Sequence, residues 1–375
     1  MNIRTRHGMM KPEIPTGLAA GGGVFDHARG GRTVARGIVS VLVCMIILAT
    51  PLIAGRGDKS GTAAATELLI PVGAAQIGIG GAAIACATGV EGIYWNPAGL
   101  ARTSFGSMVM ITHMSYLADV NVEYASAATD FFGLGQIGIS MKSLLFGDIP
   151  VTTEDQPDGT GETTSPTYFV VGGTFARKIS DRISLGITTN IIYEKMAKVS
   201  ASDICFSAGV QYEGLGGIDG LEFGVVLKNI GPGLKYDGEG LLRSGIINDA
   251  LRPGSPVKVE AATNDLPSSI DVGLAYTMAL DEENHLKAST SFINNNYSED
   301  EYRLGGEYTY RSTFSVRAGY EFASDLQGRE YIFGAAFGAG FRTTLYDLNL
   351  NVDYAYRFVN YFSGNHVLTL VLGIR

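Results

Sequence analysis

The stretch from Tyr346 to Phe358 reads YDLNLNVDYAYRF. Tyr346, Leu348, Leu350, Val352, Tyr354, Tyr356 and Phe358 alternate with Asp347, Asn349, Asn351, Asp353, Ala355 and Arg357. Successive side chains of a strand point to opposite faces, so this is a ribbon with one apolar and one polar side. Its apolar side carries aromatics at both ends and aliphatics between them. A strand crossing a bilayer needs that order, with aromatic rings at the two interfaces and aliphatic side chains in the hydrocarbon. A half-buried strand of a soluble sandwich would read the same way in isolation, so the rest of the chain has to decide.

Composition favours the membrane. Charged residues make up 17% of the chain, against about a quarter in soluble domains. Yet beyond the N-terminal region no apolar run approaches the roughly 18 residues of a spanning helix. The net charge is −9, and the first 54 residues hold six basic against two acidic side chains, so the remainder is more acidic than the whole. An acidic body excludes nucleic acid as a partner, because binding phosphates needs a basic face.

Further alternating ribbons follow from Ser104 onward. The clearest are Ile183–Tyr193, Ile204–Tyr212, Ile270–Met278, Tyr302–Tyr310, Phe314–Phe322, Tyr331–Phe341 and Leu368–Ile374. In the sixth, Tyr331, Phe333, Phe337 and Phe341 all belong to the outward face. Weaker ribbons lie near 105–113, 120–128, 135–145, 168–177, 221–228 and 286–293. The total is about 14, an even number of the kind bacterial barrels use. Connections alternate in length, with short turns near Arg177–Arg182, Asp281–Asn284, Arg311–Thr313 and Arg342–Thr344. Longer loops cover Phe146–Pro166, Asn229–Pro267, Asn294–Asp300 and Val359–Gly364. Short turns on one side and long loops on the other mark a transmembrane barrel. Such a sheet must close, since an open edge would leave backbone groups unpaired in hydrocarbon. The fold expected is therefore all-β, a transmembrane antiparallel β-barrel.

Residues 1–54 read as a leader and signal peptide. A basic region precedes the apolar stretch Gly37–Gly55, with cleavage after Ala54 or Ala65. Residues 55–103 are small, apolar and interrupted by Gly and Pro, and are expected to form short helices and turns. Residues 104–375 are the barrel. Within the second region, GIYWNPAGLA (Gly92–Ala101) follows GIGGAAIA, and two later stretches are GDIPVTTEDQPDGTGE and LKNIGPGLKYDG. In this order the three resemble PorV/PorQ-like outer-membrane proteins, which share their architecture with the FadL long-chain fatty-acid transporters. The resemblance implies a FadL-like barrel in the outer membrane, with residues 55–103 as an N-terminal plug or hatch. It makes Trp95, Asn96, Pro97 and Ala98 the plug motif. Independently of it, Asn96 before Pro97 is held to extended or turn geometry, as in an ordinary loop turn.

The inward faces carry Lys142, Glu194, Glu222, Asp271, Lys287, Arg303, Glu307, Arg317, Glu321, Arg342, Asp353 and Arg357. Of these, Arg303, Glu307, Arg317, Glu321, Arg342 and Asp353 are the main lumen charges. They would hold a plug or guide a solute, or only stiffen the wall by pairing. Outer-loop candidates are Asp148, Glu154, Asp155, Asn229 and Pro232; the acidic ones would bind calcium or a partner, with an ordinary solvated surface as the alternative. The loop Asn229–Pro267 is too long for a bare connection and is expected to fold over the barrel mouth.

No catalytic constellation, cofactor motif or metal-ligand spacing is present. GLGQIG (Gly133–Gly138) matches a dinucleotide fingerprint but lacks the following helix. Two readings stay open, both implied by the resemblance. One is docking of exported cargo or secretion-system proteins in type IX secretion. The other is a FadL-like channel for a hydrophobic small-molecule ligand. Outer-membrane lipid surrounds the barrel in either case.

Overall fold

The computed structural model describes residues 61–245, 255–324 and 331–375. The leader, with a cut after Ala54, lies outside the described residues. Fourteen strands form one closed barrel. In chain order they are β1 (Ser107–Ser115), β2 (Asn121–Asp130), β3 (Gln136–Leu145), β4 (Thr167–Lys178), β5 (Ile183–Met196), β6 (Val199–Glu213) and β7 (Leu221–Ile230). The remainder are β8 (Ser269–Ala279), β9 (Asn284–Asn295), β10 (Glu301–Tyr310), β11 (Phe314–Ala323), β12 (Phe333–Leu345), β13 (Leu348–Val359) and β14 (Asn365–Ile374). Each pairs antiparallel with its neighbours in sequence, and β1 closes on β14 with Ser107 opposite Ile374.

Alternation sets which side chains face out. Ile139, Ile187, Leu304 and Val316 are exposed on the outer wall. Nearer the long-loop end, Phe292, Tyr302 and Phe322 meet across β9, β10 and β11, with centroids 5.2 and 5.3 Å apart. Phe314 and Phe341 meet near the short-turn end at 5.4 Å. Two aromatic zones flanking an aliphatic band are what the bilayer requires of a spanning wall. Among the described residues no helix is long and apolar enough to cross a membrane.

Two details of the pattern need correction. The ribbon read from Tyr346 begins as a strand only at Leu348, because Tyr346 (φ +56°) sits in the β12–β13 turn, fully exposed. In β12 the register slips between Phe333 and Ala336. One extra residue there forms a β-bulge, which reverses the alternation. Tyr331 and Phe333, expected on the lipid face, line the interior instead.

Residues 66–101 lie inside the barrel as short helical turns. They are Thr66–Leu69, α1 (Ala74–Gly78), Gly89–Glu91, α2 (Gly92–Trp95) and Pro97–Ala101. Small residues let this backbone lie directly on the wall. A Cβ on Gly319 of β11 would sit 2.1 Å from the amide nitrogen of Gly80, and one on Gly186 of β5 would sit 2.2 Å from the carbonyl carbon of Pro97. α1 lies against β12 and β13, and the Pro97–Ala101 turn against β4, β5 and β6.

The 231–268 excursion carries two small two-stranded sheets, Leu234–Lys235 with Thr263–Asn264 and Leu242–Gly245 with Ser255–Lys258. Its Leu234 and Leu266 are buried against Leu68, Val170 and Ile192. The loop therefore folds inward over one side of the barrel mouth. In the 146–166 loop, Ile149–Pro150 pairs with Thr163–Thr164.

Candidate functional site

Asn96 has extended backbone (φ −155°, ψ 110°), as the following proline demands. Its Oδ1 accepts from the amide of Ala98 at 3.2 Å and caps the Pro97–Ala101 turn. Its Nδ2 donates to the Ile84 carbonyl at 2.9 Å and to the Val210 carbonyl of β6 at 3.1 Å. That last contact requires Gly209, where a Cβ would lie 2.0 Å from Oδ1. Asn96 thus ties the interior segment to itself and to the wall. Trp95 donates its indole N–H to the Val72 carbonyl at 2.9 Å. Pro97 and Ala98 are buried beside it.

The lumen charges form two clusters of ion pairs. Arg317 of β11 donates to Glu307 of β10 at 2.5 Å and to Asp353 of β13 at 2.6 Å. Lys287 stands 3.7 Å from Glu307. Arg303 pairs with Glu301 at 2.7 Å and lies 3.6 Å from Glu321. Glu321 in turn accepts from Arg357 Nε at 2.5 Å. Arg342 does not join them. It faces inward at the short-turn end, is exposed, and donates to Asn351 at 3.0 Å.

The outer-loop residues separate. Asp148 accepts from Ser165 at 2.7 Å, while Glu154, Asp155 and Pro232 are exposed. Asn229 is not on an outer loop surface. A second register slip, on β7 opposite Phe206 and Ala208, turns it inward at φ +57°. There it is buried and donates to the Pro267 carbonyl at 3.1 Å. Among the described residues no group of three or more metal-ligating side chains occurs.

Arg102 and Glu67 lie outside the strands and carry no signal in strand periodicity, while Lys228 shares the inward face of Glu222. Arg102 bridges Glu213 and Glu222 at 2.5 Å each. Lys228 pairs with Asp271 at 3.0 Å. Glu67 is buried with neither carboxyl oxygen partnered among the described residues. Burial pushes its pKa up to about 8, with the neighbouring Glu194 adding to the shift. Glu194 accepts from the hydroxyl of Tyr236, which descends from the long loop. Lys142 is close by, but its Nζ donates to the Glu67 and Ile70 carbonyls at 3.1 and 2.7 Å. Burial likewise raises Glu91 to about 7, with Asp353 adding to it. The visible signal for both is an acid within an otherwise apolar stretch.

Between the interior segment and the wall lies a cavity of about 300 Å³. Leu68, Leu69, Ile70, Pro71 and Ile77 give it an apolar side, and Trp95 lines it. Lys228, Asp271, Glu301, Arg303, Glu321 and Arg357 give it a charged side. Phe333 lies under the Arg357 guanidinium, 3.4 Å from ring centroid to central carbon.

Past the β12 bulge, β11–β12 pairing stops at Tyr320 opposite Ala335, leaving Glu321, Phe322 and Ala323 without a β12 partner. A second cleft of about 490 Å³ occupies this notch. Tyr320, Phe322 and Phe358 line it, and it shares Glu321, Tyr331 and Phe333 with the inner cavity.

No protein-family model matches the sequence, and no curated protein matches it. The resemblance to PorV/PorQ proteins therefore rests on the three sequence stretches alone. Solved structures do match the fold. The CymD monoaromatic hydrocarbon channel superposes with a TM-score of 0.53 at 14% identity, covering 82% of this chain and 98% of its own. The deltaS2S3 mutant of the TodX monoaromatic hydrocarbon channel gives 0.50 at 12% identity, covering 80% and 97%. A Pseudomonas aeruginosa FadL homologue gives 0.48 at 12%, covering 81% and 98%. The first two carry the conclusion that the FadL-like barrel fold expected from sequence is present.

Proposed function

We propose that this protein is a bacterial outer-membrane channel for a small molecule with an apolar body. The molecule occupies the cavity beside Trp95 and leaves sideways into the membrane between β11 and β12. The observation that carries this reading is the sharing of Glu321, Tyr331 and Phe333 by the inner cavity and the wall notch. A pocket with apolar walls and a few convergent polar groups is the usual form of a small-molecule site. Residues 66–101 act as a plug that closes the straight path through the barrel. The two neighbours that share the fold are named as monoaromatic hydrocarbon channels, in keeping with this reading. No observation of comparable kind favours the docking of exported proteins.

The test is uptake of labelled small aromatic and alicyclic compounds by intact cells carrying the protein in their outer membrane. Uptake is expected to exceed that of cells lacking it. Equal uptake across the panel, with folded barrel present, would sink the proposal.

A further inference from the structure

We infer that the molecule held in this cavity is neutral and carries an oxygen acceptor on its apolar body, as a cyclic or aromatic ketone does. This rests on the channel reading and narrows its ligand to one chemical class.

Charge comes first. The cavity wall holds three cations, Lys228, Arg303 and Arg357, and three anions, Asp271, Glu301 and Glu321. Every one is already in an ion pair with another member of the set. The site is thus electrically balanced before any ligand enters. A carboxylate added to it would be a buried charge with no counter-ion left to meet it, an arrangement that is strongly disfavoured.

Hydrogen bonding argues against the opposite extreme. Arg303 donates through Nη2 to Glu301, but its Nη1 has no partner among the described residues. The hydroxyls of Tyr116, Tyr297 and Tyr331, which also line the cavity, have none either. A bare hydrocarbon would displace water from these groups and leave them unsatisfied, whereas a carbonyl or hydroxyl oxygen can accept from them. The apolar side, from Leu68 to Pro71, and the ring of Phe333 receive the remainder of the molecule.

The experiment uses the full protein in mild detergent and three probes built on one six-membered ring: cyclohexanone, methylcyclohexane and cyclohexanecarboxylate. None absorbs where tryptophan emits, and Trp95 is the sole tryptophan of the chain. Its emission reports binding at the cavity it lines. Cyclohexanone is expected to bind at least about tenfold more tightly than either other probe, since a site built to hydrogen-bond discriminates against analogues lacking the group. In the double variant Tyr297→Phe, Tyr331→Phe, which keeps both rings, the advantage over methylcyclohexane should shrink to about threefold or less, the ketone having lost two donors. Heat-modifiable gel mobility confirms that the variant is folded. If methylcyclohexane or the carboxylate binds as tightly as the ketone, the inference is overturned while the channel reading stands. If none of the three binds, the cavity is not a ligand site, and both fall.

Discussion

Asn96 shows what one side chain does in this fold. Its amide meets carbonyls on two separate pieces of chain while its oxygen caps a turn. Asn96→Ala removes the cap on the Ala98 amide and one donor to the Ile84 carbonyl, which keeps Gln211, a loss of about 1–2 kcal/mol. The denaturation midpoint of the detergent-solubilised barrel should fall accordingly. Asn96→Asp should lower it further, because a carboxylate would then face carbonyl oxygens. An unchanged midpoint in both variants would mean that Asn96 does not anchor the segment.

Two further residues make stability depend on pH. Glu67 and Glu91 both hold protons more tightly when folded than the ordinary value of 4.5, rising to about 8 and about 7. Between those limits the folded state binds protons that the unfolded state has lost, so stability falls as pH rises. Their contribution is complete below about pH 4.5 and is lost as pH rises through about 7 for Glu91 and about 8 for Glu67. Glu67→Gln should flatten the upper part of that decline. A melting midpoint rising from pH 5 to pH 8 would contradict the assignment.

At the scale of the strand, the β12 bulge is decisive. If β12 kept simple alternation through all its residues, Tyr331 and Phe333 would point to lipid and β12 would continue its ladder with β11 past Ala335. Deleting Gly334 removes the extra residue and should restore the pairing with β11, while Tyr331 and Phe333 stay on the inner face. The expected outcome is normal folded barrel with uptake reduced to the level of cells lacking the protein. Retained uptake in a folded deletion variant would place the exit elsewhere. β11 itself follows simple alternation, with Arg317 and Glu321 buried on its inner side. β12 carries the same kind of ribbon, yet its upper end is reversed, because a bulge leaves no mark in a period of two. The same cause hid Asn229, which the β7 slip moved from an apparent loop into the cavity wall.

At the scale of the whole molecule, the interior segment and the wall are complementary. Replacing residues 66–101 with a short Gly-Ser linker should turn a barrel of this strand number into an open aqueous pore. Stable conductance steps in planar bilayers, absent from the unaltered protein, are expected. Equal conductance in the two forms would show that the segment does not close the path.

Strand number, the outward faces of most strands, the sorting of loops and the inward charges were all fixed by local sequence. Each depends on side chains only a few residues apart, and periodicity records such spacing directly. Arg303, Glu307, Arg317, Glu321 and Asp353 could be placed on the inner face in this way, but their pairing into two separate clusters could not. Only the closed structure brings Asn96 to the Val210 carbonyl, 114 residues away, and sets Gly80 against Gly319. It alone decides that a lone Glu67 lies unpaired beneath the long loop, and that a bulge joins the inner cavity to the wall. Those contacts arise from closure and burial, which bring together residues whose local sequences carry no record of one another.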